Sequence, residues 1–177
     1  MKMILILIVV ALLGAAFAYA GLFGKKNDAT KRIESLLSSL PEGIKVVHTP
    51  SKVFAQEDCR SGRKYTWLHE TSVSSMGGRI EIEEFGTLVW HNGDWVFSTI
   101  YGRPFNQKEF EEWYVCPQGI LVPGKEFKDE ANYTGGDVLR GSKSKWYFIG
   151  KNEEGKRVKG EAVVESLPEV TKGEQVR

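Results

Sequence analysis

YTWLHETSVSSMGGRIEIEEFGTLVWHNGDWVFSTIY, residues 65–101, is the stretch on which the fold turns. Its first ten residues are rich in Thr, Val, Tyr and Trp and alternate in character. Tyr65, Trp67, His69, Thr71 and Val73 fall on one face of an extended chain, and Thr66, Leu68, Glu70 and Ser72 on the other. Gly77-Gly78 reads as a hairpin turn. Residues 80–85 alternate again, with Ile80 and Ile82 set against Glu81 and Glu83. Residues 87–91 and 95–101 flank Asn92-Gly93, a pair that accepts positive φ at both central positions of a tight hairpin. The stretch therefore predicts an antiparallel meander of three or four strands.

Working outward, residues 44–49 read as a strand closed by Pro50. Before it, residues 28–40 place Ile33, Leu36, Leu37 and Leu40 on one helical stripe, and Pro41-Glu42-Gly43 ends that helix. This short amphipathic helix either packs on the domain or forms a stalk. Downstream, Asn106 with Glu109 three residues on forms a capping-box pattern, and Phe105 and Phe110 occupy the staple positions. The helix they start runs to about Tyr114 and stops at Cys116-Pro117. Further strands are expected at 120–122, 145–149 and 157–164, the last two joined by a turn at Glu153-Glu154-Gly155-Lys156. The polar residues 166–177, with Pro168 and Gly173, read as a disordered tail. The expected class is mainly β, an antiparallel sheet in a sandwich or partly open barrel, with one or two short helices and a single β-rich domain over 44–165.

The N-terminus carries an address. Lys2 precedes an apolar run over residues 3–13, and Ala18-Tyr19-Ala20 offers small side chains where a signal peptidase needs them. Residues 1–20 are accordingly expected to be a signal peptide. The competing reading is an uncleaved anchor to residue 24, because nothing from Met3 to Gly24 is charged and Lys25-Lys26 follows. The membrane would then be touched only through this segment. Two cysteines, Cys59 and Cys116, fit an oxidising destination, periplasmic or secreted. A bridge closing so wide a loop contributes roughly 4 kcal/mol in the chain-entropy account.

Charge and motifs exclude several classes. The formal net charge is +1, far from the basic footprint that nucleic acid requires. No GxSxG is present, and neither cysteine sits in a CxxC pattern. No cofactor signature is found. Glu81, Glu83, Glu84, Glu109, Glu111 and Glu112 could supply a hydrolase with a carboxylate pair, although solvated strand and helix faces account for them more simply. Asp129, Asn132 and Asp137 lie in a stretch read as a Gly-rich loop and miss the calcium-loop spacing. Asn132-Tyr133-Thr134 is also a glycosylation sequon. His48, His69 and His91 are enough in number for a metal site, but none forms an HxH or HxxxH pair.

The aromatic residues carry the remaining signal. Tyr65 and Trp67 share a strand face with His69, and Trp90 and Trp95 bracket the Asn92-Gly93 turn. Large flat rings on a sheet stack on sugars or anchor protein contacts, and they equally fill cores. The expected function is an exported, non-catalytic module of the envelope or the medium, binding a protein or glycan through an aromatic patch of Tyr65, Trp67, His69, Trp90 and Trp95. A histidine metal site, a periplasmic inhibitor or immunity-type protein and a small hydrolase are the alternatives.

Overall fold

The computed structural model describes residues 28–57 and 62–171. In chain order these form α1 (Asp28–Ser39), β1 (Ile44–Thr49), β2 (Lys52–Ala55), β3 (Tyr65–Ser75), β4 (Ile80–His91), β5 (Asp94–Phe97), β6 (Phe105–Asn106), α2 (Gln107–Trp113), β7 (Ile120–Leu121), β8 (Glu126–Gly136), β9 (Ser142–Asn152) and β10 (Arg157–Val170). The fold is mainly β with two short helices. One sheet has three strands in the order β1-β3-β8. The other has seven, in the order β2-β10-β9-β4-β5, with β6 and β7 also paired to β4. Pairing is antiparallel apart from β2 on β10. The two sheets curl over a shared core as a half-open sandwich.

The expected meander is only partly present. Asn92-Gly93 does turn β4 into β5, with φ of 49° and 87°. Gly77-Gly78, however, carries the chain from the three-stranded sheet to the seven-stranded one, so β3 and β4 are not paired to each other. Alternation tells which face of a strand is buried. It does not name the strand's neighbour. Residues 80–91 form one long strand with a register irregularity between Ile82 and Glu84. That irregularity keeps Ile80, Ile82 and Phe85 in a single core.

The sheets are joined along one side. The Gly43 N–H donates to Lys159 O at 3.0 Å, and the Lys159 N–H to Pro41 O at 2.9 Å. A Cβ on Gly160 would stand 2.2 Å from Ile44 O, so β1 can cross β10 here only over a glycine. Gln56 and Thr66 exchange bonds of 2.8 and 2.9 Å, tying β2 to β3. On the opposite side β8 is a sheet edge, and the sandwich is open there.

The main core lies between the sheets, where Phe85 and Phe148 stack with centroids 5.5 Å apart and Phe110 and Tyr114 pack against them. The outer face of the larger sheet carries a second cluster, Ile33 and Leu37 of α1 against Leu88, Phe97, Tyr147 and Ile149. The Phe97 N–H donates to the buried Thr30 Oγ1 at 2.9 Å, and Arg32 reaches Glu84 at 2.9 Å. The first helix is thus docked on the domain and is not a free stalk.

The C-terminal reading is corrected. Residues 166–170 belong to β10, not to a disordered tail. The Trp67 Nε1–H donates to Leu167 O at 2.8 Å and the Thr171 N–H to Ala55 O at 2.9 Å. Pro168 falls where the β2–β10 register is irregular, a place where a missing N–H costs no ladder bond. The rest of that segment, residues 172–177, and the expected signal peptide, residues 1–20, lie outside the described residues. Among the described residues no helix is long and apolar enough to cross a membrane.

Candidate binding cleft

The open side of the sandwich holds a cavity of about 700 Å³. One wall is β8. This strand pairs with β3 as Phe127 opposite Val73 and Asp129 opposite Thr71, then slips, then continues as Asn132 opposite His69 and Thr134 opposite Trp67. The extra residue lets both Asp129 and Asn132 reach the cavity instead of alternating away from each other. The Ala131 N–H donates to Asp129 Oδ1 at 3.1 Å and holds the bulge. The facing wall is the inner side of the larger sheet. Thr87 is paired with Trp146 and Val89 with Ser144, in phase with the core pair Phe85 and Phe148.

One end is closed by α2 and the segment before it. The Asn106 side chain accepts from the N–H groups of Lys108 and Glu109 at 3.0 and 3.1 Å, and Glu109 accepts from the Asn106 N–H at 2.7 Å. Arg103 clamps the same carboxylate at 2.7 Å and holds it below the usual glutamate range. The capped helix sets Trp113 against Phe105 at 4.6 Å and against Phe85 at 5.6 Å. Phe105, Trp113 and Trp146 are thereby fixed as flat apolar wall, while Ile100, 77% exposed, stands at the mouth.

Beneath this wall runs a buried polar chain. The Asn132 Nδ2 donates to Thr71 Oγ1 at 2.8 Å, and Thr71 Oγ1 shares a 3.0 Å bond with His48 Nδ1. His48 Nε2 lies 3.3 Å from Ala162 O, an acceptor. The chain is satisfied when neutral His48 carries its proton on Nε2, so that the Thr71 hydroxyl donates to Nδ1. His69 packs edge-on to His48, with ring centroids 5.2 Å apart, and its Nε2 has no hydrogen-bond partner among the described residues. Burial pushes both imidazoles down. His69 falls to about 4, through burial first and the neighbouring His48 second. Burial also pushes the Asp129 carboxyl up. At the rim Arg63 is held by Asp137 at 2.7 Å.

The structure disperses the expected aromatic patch. Tyr65, Trp67 and His69 are 8%, 3% and 3% exposed and face the inter-sheet core, so they are not a surface. Their alternation was real, but it marked the buried face of β3. Trp90, 44% exposed, packs on Trp95 at 5.2 Å at the β4–β5 hairpin, apart from those three. Of the three histidines, His48 and His69 come together. His91 sits at the hairpin end, opposite Asp94. Among the described residues no group of three or more His, Cys, Asp or Glu is arranged to hold a metal ion. Cys116 is buried with its Sγ 3.3 Å from Ile120 O and has no partner sulfur among the described residues; as a thiol it is pushed up to about 11 by burial, and Cys59 lies outside the described residues.

The candidate carboxylates are engaged elsewhere. Glu83 meets Lys151 and Arg157, each at 2.6 Å, and Glu84 meets Arg32. Glu81 accepts from Gln107 at 2.9 Å, Glu111 from the Gln118 N–H at 2.9 Å, and Glu112 lies 4.0 Å from Lys108. Asp129 is the carboxylate that lines the cavity. The sequence places it with Asn132 and Asp137 in a Gly-rich loop, whereas Asp129 and Asn132 lie on β8, a polar edge strand whose bulge erases the period of two. Trp146 was placed on a strand but not singled out.

No family model matches the chain, and no curated protein matches it. Among solved structures it is similar to a protein named ApaA from Bordetella pertussis, at 9% identity and a TM-score of 0.42, over 76% of this chain and 98% of that one. It is also similar to a Niemann-Pick type C2 protein from the Japanese carpenter ant, at 11% identity and a TM-score of 0.36, over 71% and 92% of the two chains.

Proposed function

We propose that the protein is an exported, non-catalytic module that binds a small ligand, a glycan foremost, in the cleft between its two sheets. The cleft carries this reading. Its volume of about 700 Å³ falls within the roughly 300–1,000 Å³ of small-molecule sites. Its chemistry suits a sugar better than a lipid tail. Trp113, half-buried, offers a ring for stacking, the buried Phe105 and Trp146 line the same wall, and the half-buried Asp129 and Thr134 offer polar groups beside them. A purely apolar guest would strand those groups without partners. The aromatic surface expected from sequence is thus replaced by an aromatic groove, and the binding role is retained.

The extracytoplasmic destination rests on residues 1–20 and on Cys59 with Cys116. Peptide mapping of the mature protein without reductant tests it: a Cys59–Cys116 peptide and an N-terminus at Gly21 are expected, and an intact N-terminus with two free thiols counts against export.

Ala131→Trp tests the cleft. Ala131 is exposed on the bulge and lines the cavity, so an indole there fills the space without entering the core. Oligosaccharide titrations followed by tryptophan emission should lose binding at least about tenfold, with an unchanged melting temperature. Undiminished binding by the filled variant would place the ligand elsewhere.

A further inference from the structure

We propose that the ligand's polar end is cationic, an amino sugar whose ammonium group sits against Asp129 beside the indole of Trp113. This rests on the cleft reading and adds the sign of the charge to it.

Asp129 is half-buried in the cavity wall, and its hydrogen bond is to the N–H of Ala131 within its own bulge. Among the described residues it forms no ion pair. The guanidinium at the rim, Arg63, is already taken by Asp137. A carboxylate drawn partly out of water without a counter-charge is costly, and an incoming cation relieves that cost. The remaining wall supports the same choice. Indole faces attract ammonium groups, most strongly where water is excluded. Asn132 gives one Nδ2 hydrogen to Thr71, and its carbonyl oxygen can accept from a donor. A neutral sugar would leave the carboxylate without a counter-charge.

The test uses the full mature protein and two probes, a glucosamine tetramer and its N-acetylated counterpart, titrated at a pH where the free amines are protonated. The cationic tetramer should bind about tenfold tighter or better, and Asp129→Asn should erase the preference. Equal affinity for both probes, or a preference that survives in Asp129→Asn, overturns the cationic assignment and leaves the cleft reading standing. Binding of neither probe overturns the amino-sugar assignment and the glycan reading together. The comparison of probes needs only the unmutated protein, so it decides the matter even where the variant folds poorly.

Discussion

Thr71 is the residue on which the interior polar chain depends. Its hydroxyl accepts from Asn132 and bonds to His48, and its side chain is fully buried. Thr71→Val keeps the shape and removes both partners. It is expected to cost about 1–3 kcal/mol of unfolding free energy, read by urea denaturation, because two buried groups lose their bond at once. Thr71→Ser should recover most of that loss. His69 makes a pH prediction of defined sign. Its imidazole falls from 6.5 in the open chain to about 4 in the fold, through burial and then His48. The unfolded chain therefore binds the proton first. Stability is fully present above about 6.5 and is lost as pH falls toward 4. Most carboxylates titrate below about 5, so the slope between there and 6.5 belongs to the buried histidines. Unfolding curves for His69→Gln should be flatter across that window. An unchanged slope would mean that the ring is not held neutral by its surroundings.

At the scale of elements, α2 and the β1–β10 crossing set the cleft's shape. Asn106→Ala removes the cap and should cost about 1 kcal/mol, and it should also loosen Trp113, which shows as a shift in indole emission. Gly160→Ala forces a methyl onto Ile44 O and should destabilise more than the cap does, because the clash is with backbone. The capping box, the staple pair and the Asn92-Gly93 turn were all legible in sequence, since each is written in neighbouring residues. β2 and β8 were not. β2 is four residues long and pairs with the far end of the chain. β8 buries only Phe127 and Asn132 across eleven residues, and its bulge shifts the phase between them. The end of β10 was misread for a related reason: Pro168 and polar residues resemble a tail until Trp67 and Ala55 supply the partners. Local pattern reports a strand's buried face, whereas pairing is a matter of the distant chain.

For the whole molecule, the arrangement of sheets explains why a cleft exists. β1 and β10 meet over Gly160, β2 bridges to β3, and the sandwich is closed on that side. The other side ends in β8, whose bulge turns polar groups toward the rings of the facing sheet. Mainly β architecture was readable from alternation and turns. The cleft was not, because Asp129 and Asn132 of one sheet meet Ser144 and Trp146 of the other only through the stacking of two sheets. Tyr65, Trp67 and His69 drew the eye for the same physical reason that buries them, a regular period of two. The most direct measurement is a two-dimensional amide and indole NMR titration of the protein with the glucosamine tetramer. The account predicts shifts confined to residues 129–134, Ser144 and the indole groups of Trp113 and Trp146. Shifts gathered instead on Trp90 and Trp95 at the hairpin, with the cleft silent, would contradict it.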